Sequence, residues 1–368
     1  MNFDITDEQR LLIDAVSRCL AEEASFTARQ AVVRTHGWSP SVWSTLCDLG
    51  VPVAVFADTD GGLGGGAMEL ALIAQIGAAA LAVEPITSVL IAHSVLARSA
   101  PAPLRQRWLE RLRDTPAVLV PAFASTEATV RAEVDGAATV LNGRAAVVYH
   151  APCADHLLVA AASAGAARAD SLYLVPVNAA GLALQSYTTV DAQRAADLVL
   201  DGVRVGADDT VTTHDPASVD LAIDLGLLAV SAEALGSAER AVALTLEYLK
   251  TRQQFGGPIG RFQALQHRAV TCLARLEDLR TLVLLGAARF DGPTDARRTT
   301  LAALKVVAAE TARHIGEEAV QLHGGMGVTE EMEISHHFRR LIATSIRYGA
   351  RDEHLRAYAE ARFATTQG

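Results

Sequence analysis

The sequence is short of cysteine and of positive charge, and it has no long hydrophobic run. Its four cysteines, Cys19, Cys47, Cys153 and Cys272, stand far apart with no C-x-x-C spacing. That excludes a disulfide framework and a cysteine metal knuckle, and it fits reduced, packed thiols in a cytosolic protein. No metal centre is expected. Lys and Arg number 32 against 42 Asp and Glu, a net charge of −10. This balance argues against nucleic acid and against anionic membrane surfaces as partners. No stretch reaches the ~18–20 uninterrupted apolar residues of a membrane span. The opening MNFDITDEQ has neither the basic region nor the apolar region of a secretory signal, so a cytoplasmic location is expected. GGLGGG at 61–66 is not a G-x-G-x-x-G loop, and the preceding VAVFADTD fits a βαβ unit poorly, so a flexible surface loop is expected there.

What is present suffices for two or three domains and a large core: 368 residues, half of them hydrophobic. The patterning divides the chain into 1–116, 117–212 and 213–368. The first part reads as helical. Thr6 with Gln9 makes a capping-box start, and Leu12, Val16 and Cys19 follow at helical spacing. The apolar run 67–97 is broken by Pro85. The second part is a series of short apolar runs, 118–212, punctuated by turn pairs. Asn142-Gly143 signals a hairpin, and Asp135-Gly136 and Asp201-Gly202 signal further turns. Strands at this spacing predict a small β-barrel or sandwich. The third part returns to helix. Leu265, Ala269, Cys272, Leu276, Leu279 and Val283 step by four and three, the apolar seam of a bundle.

Two stretches in the third part carry chemistry. In RQQFGGPIGRFQALQH (252–267) a cation, amides and an aromatic surround a Gly-Gly-Pro turn, and Phe262 and Gln263 then open a helix. Arg beside the fresh N–H groups of a helix start suits a pyrophosphate, although Arg and Gln at a helix junction are also common as solvated residues. The second stretch is QLHGGMGVTEE (321–331). Two glycines just past a helix end let backbone approach a ligand that a Cβ would exclude; a plain helix cap is the bland alternative. His323 has the bland reading of a histidine stabilised by the helix dipole.

EYLKTRQQFGGPIGRFQALQH and QLHGGMGVTEE together resemble the RxQFGxPxxxFQxxQ and QxxGGxG signatures of the acyl-CoA dehydrogenase family. The resemblance covers nearly the whole chain. It implies an α+β fold with an N-terminal helical domain, a middle β-barrel domain and a C-terminal four-helix bundle. It implies flavin adenine dinucleotide (FAD) held across a subunit interface. Arg252 would pair with the pyrophosphate, Gln254 and Phe255 would position the ribose and adenine, and Gln321 with Gly324 and Gly325 would close over the dinucleotide. Gln263 belongs to the same motif. Where the family carries T-E-P-x-A-G-S-D, this chain keeps only Thr126-Glu127. Where the family sets W-[IS]-T against the flavin ring, it has Val147-Val148-Tyr149-His150, where Tyr149 or His150 could stand in and a plain strand end is the alternative.

The family's α-proton base is a glutamate, often in Y-E-G-T. Here Gly349 fills that slot. The alternative family positions fall near Gly226 and on Thr271. Three carboxylates remain as the main candidates: Asp352 and Glu353, one helical turn beyond Gly349, and Glu233, which interrupts the apolar run 229–236; Asp224 is a weaker one. The alternatives are a solvated helix end for the first two and an arginine partner across the bundle for Glu233. The pattern YGARDEHLRAYA resembles the small-subunit branch of bacterial heteromeric acyl-CoA dehydrogenases. The resemblance implies an α2β2 heterotetramer with a second dehydrogenase-like subunit, a bulky acyl-CoA substrate, and an electron-transferring flavoprotein as acceptor. A non-catalytic partner subunit and a same-fold flavin monooxygenase or oxidase stay open beside it.

Overall fold

The computed structural model describes residues 6–123, 127 and 129–364. They form two compact units, one of the described residues within 14–73 and 83–226, the other of those within 6–13, 74–82 and 227–364.

The first unit joins short helices to a sheet. α1 (Asp7–Glu23, which begins in the second unit) opens on the expected capping box: Thr6 N–H donates to Gln9 Oε1 at 2.9 Å and Gln9 N–H to Thr6 Oγ1 at 3.2 Å. α2 (Phe26–Thr35) and α3 (Pro40–Asp48) start on Ser25 and Ser39, whose hydroxyls accept the N–H groups of Ala28 and Val42. The run from Ala67 becomes two helices, α4 (Ala67–Ala79, which ends in the second unit) and α5 (Ile86–Ser99), with Pro85 at the N-cap of the second. α6 is Ala102–Asp114. Every residue from Ile86 to Leu96 on α5 is buried. His93 on α5 is held by Pro52 O and Trp108 Nε1, and burial lowers its pKa to about 4, so it packs as a neutral ring.

The expected flexible loop at 61–66 is instead a tight, hydrogen-bonded turn. Gly62 N–H donates to Ala57 O, Gly64 N–H to Phe56 O and Gly65 N–H to Ala54 O. A Cβ on Gly62 or Gly65 would lie 2.3 Å from a backbone carbonyl oxygen. These glycines are there because backbone passes against backbone.

The strands are β1 (Leu119–Ala122), β2 (Val130–Asp135), β3 (Ala138–Tyr149), β4 (His156–Ser163), β5 (Ser171–Pro176), β6 (Leu182–Thr188), β7 (Arg194–Gly206) and β8 (Thr210–Thr212). They form one eight-stranded sheet in the order β6-β7-β3-β2-β4-β5-β8, with β1 parallel to β4. Asp135-Gly136 makes a turn as expected, between β2 and β3. Asn142-Gly143 and Asp201-Gly202 do not. They are irregularities inside the long strands β3 and β7, where the register shifts between Leu141 and Gly143. Asn142 Oδ1 accepts Gly202 N–H at 2.7 Å, and a Cβ on Gly143 would meet Thr129 O at 2.3 Å. The same residues that make a hairpin turn make a bulge when the chain has pairing partners on both sides.

The second unit is helical. Its elements are α7 (Pro216–Thr251, which begins in the first unit), α8 (Gln263–Ala288), α9 (Thr294–His323), α10 (Glu333–Ile346) and α11 (Arg351–Ala364). α7 is long and apolar enough to cross a membrane, but its apolar window is mostly buried in the protein core. Gly236 on α7 passes so close to Gln75 that a Cβ would lie 1.9 Å from Gln75 O. The seam forms as expected: Ala269, Cys272, Leu276, Leu279 and Val283 are all buried. All four cysteines are free thiols. Burial raises Cys272 to about 11 and Cys47 and Cys153 to about 12, which keeps those three protonated and unreactive at neutral pH.

Candidate functional site

The two motif stretches meet at one end of the second unit. α7 stops at Thr251, and the chain turns through a short hairpin of Gln253–Gln254 against Gly257–Pro258 (β9 and β10). Ile259 N–H donates to Arg252 O at 2.9 Å and closes it. At its tip Phe255 is 82% exposed with φ +53°, an unfavourable conformation for an aromatic residue. The Arg261 guanidinium donates to Phe255 O and lies over the Phe262 ring, 5.2 Å from its centroid, so the tip is braced from behind. Leu249, Ala269 and Leu322 form the apolar core under the hairpin, with Leu246, Ile259 and Leu265 against them. The side chains of Arg252, Gln254 and Gln263 stand exposed, with no partner among the described residues.

α9 ends at His323 in the same place. The His323 ring stacks on Tyr248, centroids 4.4 Å apart and planes 26° apart, and Nδ1–H donates to Ala319 O at 2.8 Å. Tyr248 precedes Arg252 by one turn and accepts its N–H through the backbone carbonyl. This stack holds the end of α7 to the end of α9, and so Arg252 to the Gln321–Gly325 segment. His323 is buried, and burial lowers its pKa, so the expected cationic dipole partner is instead a neutral ring. Gln321 is exposed. Gly324 has φ +62°, and a Cβ on Gly324 or Gly325 would meet nothing within 4 Å. By contrast a Cβ on Gly327 would lie 2.7 Å from Val320 O. Gly327 is therefore a packing glycine, while Gly325 sits beside open space. An unpaired guanidinium, three exposed amides and bare backbone with room beside it fit a dinucleotide carrying a pyrophosphate.

The three candidate carboxylates are all engaged. Asp352 is 80% exposed and pairs with Arg351 at 2.7 Å. Glu353 is exposed, and its Oε1 accepts Ala350 N–H at 3.1 Å, the returning half of a capping box for α11. Glu233 is buried and pairs with Arg347 at 2.5 Å. The arginine partner foreseen for Glu233 thus lies two residues before Gly349. A third buried charge completes the cluster: Lys305 on α9 is 1% exposed and donates to Thr344 O at 2.7 Å. Burial first, then Arg347, lowers its pKa to about 7, with Glu233 opposing. Sequence reasoning missed Lys305. The signal was the one that picked out Glu233, a charge interrupting an apolar helical run.

The slot at Gly349 is filled from the side. Gly349 has φ +98°, and a Cβ there would lie 2.7 Å from His354 Nε2 and 3.3 Å from the Glu353 carboxylate. His354 Nε2–H donates to Tyr348 O at 2.8 Å.

In the first unit, Thr126 lies outside the described residues. His150 is buried with both ring nitrogens bonded, Nδ1 to Ser88 Oγ at 2.8 Å and Nε2 to Gln193 Oε1 at 2.5 Å. It is not available as a stand-in for a flavin contact. Tyr149 is half-buried beside it.

Residues 6–115 match the acyl-CoA dehydrogenase N-terminal domain, and residues 219–362 match the acyl-CoA dehydrogenase C-terminal domain. The chain belongs to the acyl-CoA dehydrogenase family. It is an oxidoreductase acting on acyl-CoA. Acyl-CoA dehydrogenase IpdE2 of Mycobacterium tuberculosis is 28% identical over 337 residues, 91% of each chain. The ChsE4-ChsE5 complex from Mycobacterium tuberculosis contains a chain of the same fold, with a TM-score of 0.89 and 26% identity over 98% of each chain. The Tcur3481-Tcur3483 steroid acyl-CoA dehydrogenase gives the same TM-score and identity over 99% of this chain and 100% of that one. The two motifs that meet at the Tyr248–His323 stack are therefore those of a family whose cofactor is FAD.

Proposed function

We propose that this chain is one subunit of a heteromeric, FAD-dependent acyl-CoA dehydrogenase that introduces an α,β double bond into an acyl-CoA thioester. The observation that carries the heteromer is a pair of opposites. The dinucleotide face built from Arg252, Gln254, Phe255, Gln263, Gln321, Gly324 and Gly325 is exposed, with the side chains of Arg252, Gln254 and Gln263 unpartnered among the described residues, while the three candidate carboxylates are all engaged. Exposed Phe255, Met326 and Val328 belong to the segments that form that face, apolar groups fit to be covered by another chain. The ChsE4-ChsE5 and Tcur3481-Tcur3483 relatives, each named as a pair of proteins, support an α2β2 assembly with a second dehydrogenase-like subunit. The steroid acyl-CoA dehydrogenase among them supports a bulky acyl group. We further take the location as cytoplasmic and the acceptor as an electron-transferring flavoprotein.

In this reading Arg252 neutralises the pyrophosphate. Gln254, Gln263 and Gln321 supply hydrogen bonds around the ribose and adenine, while the assignment of Thr126 to the cofactor rests on the family resemblance alone. When bound, FAD would supply the acceptor for the hydride that leaves the substrate β carbon. The α proton must pass to a carboxylate within hydrogen-bond reach. Asp352 and Glu353 sit closest in sequence to the lost position; Glu233 lies beneath the same corner, but taking a proton would cost it its Arg347 pair. The engaged state of all three favours the second reading, in which the partner carries the base and this chain completes the flavin site only.

Asp352→Asn, Glu353→Gln and Glu233→Gln in the assembled enzyme separate the two readings. A catalytic role predicts at least a tenfold fall in kcat for one of them, ~1.4 kcal/mol of transition-state stabilisation. Unchanged kcat in all three assigns the base to the partner. Glu233→Gln also leaves Arg347 with a weakened buried pair, so its kcat is read beside a melting curve.

A further inference from the structure

His323 has one ring nitrogen left over. Its Nδ1–H is taken by Ala319 O, which fixes the neutral tautomer and leaves Nε2 as an acceptor. Nε2 has no partner among the described residues, and it is not one of the polar atoms sealed from solvent without a hydrogen bond. The stack on Tyr248 fixes the ring plane, so the direction of the lone pair is set before any ligand arrives. The next two residues are Gly324 and Gly325, whose flanks are open. The chain thus places a rigid, oriented acceptor immediately before the glycine backbone of the dinucleotide face. The ring does more than clasp the two helices: a phenylalanine would stack as well and offer no acceptor.

We infer that His323 Nε2 accepts a hydrogen bond from the adenosine end of the dinucleotide, and that His323 is a specificity-determining residue of that site. This rests on reading the face as a dinucleotide site. Two groups of adenosine offer the required donor, the exocyclic amino N–H of adenine and a ribose O–H. Loss of the donor leaves Nε2 facing a ligand it cannot bond, and a site built for a hydrogen bond rejects the analogue that lacks it.

The test uses the flavoprotein in the assembly in which it purifies, stripped of flavin and titrated while flavin fluorescence is followed. Three ligands are compared: FAD, the analogue with hypoxanthine in place of adenine, and the analogue with 2′,3′-dideoxyadenosine. The wild type is expected to bind one analogue about tenfold more weakly than FAD. The hypoxanthine analogue identifies the amino group as donor, and the deoxy analogue identifies the ribose. His323→Phe, which keeps the stack, is expected to bind FAD as weakly as the wild type binds that analogue and to lose the preference, with its melting temperature held. Equal binding of all three ligands by the wild type overturns the inference without any variant. So does an undiminished preference in His323→Phe. A wild type that binds no dinucleotide at all overturns the reading of the face itself, an outcome distinct from binding without preference.

Discussion

Gly324, Gly325 and Gly327 lie within four residues and serve three different ends. Gly324 needs its conformation: at φ +62° and ψ −144° an alanine is strained by about 1–3 kcal/mol. Gly327 needs its size, because a methyl group would press on the Val320 carbonyl. Gly325 needs neither for folding. Gly325→Ala is therefore expected to keep the melting temperature of the apoprotein and to weaken flavin binding about tenfold or more, whereas Gly327→Ala lowers the melting temperature. Calorimetry with a flavin titration reads both, and unchanged flavin affinity in Gly325→Ala contradicts the ligand reading. Lys305 gives a second test among single residues. Its amine falls to about 7 in the folded protein against 10.5 for the ordinary group. Between those values the unfolded chain binds a proton that the folded chain does not, so this residue makes stability rise with pH across that window. Lys305→Met is expected to melt above the wild type at pH 7, the gap closing as pH rises towards 10. Parallel curves would show that Lys305 does not titrate as its burial requires.

Among the elements, the corner between α10 and α11 is where the sequence was least legible. The missing glutamate was visible at Gly349, but the reason a side chain cannot return was not. It lies in two things, the left-handed backbone at Tyr348 and Gly349 and the His354 ring turned back onto Tyr348 O. Both are tertiary facts with no periodic signature. Gly349→Glu is accordingly expected to lower the melting temperature and to add no dehydrogenase activity. A stable variant with increased turnover would mean that the corner has room for a base. Turn signals failed in the same way in the sheet. Asn142-Gly143 promises a hairpin, yet the strand runs on through a bulge, because partners on both sides of β3 outweigh a local preference. The capping box at Thr6 and Gln9 and the seam on α8 were legible because they depend on neighbours three and four residues away.

For the whole molecule, the order helix, sheet, helix was readable from periodicity, and the two motifs with their spacing carried the family. Their meeting was not readable: Tyr248 and His323 are 75 positions apart, and only packing shows that they stack. If this chain offers half of a shared flavin site, it should hold flavin only beside its partner. The most direct measurement is the visible absorption spectrum of the chain purified alone, with its mass in solution, compared with the same chain co-purified with a second dehydrogenase-like subunit. A shared site predicts a colourless chain alone and a yellow complex, with flavin bound only in the assembly. A yellow homo-oligomer of the chain alone, with about one flavin per chain and turnover of acyl-CoA, would contradict it and return the search for the base to Asp352, Glu353 and Glu233.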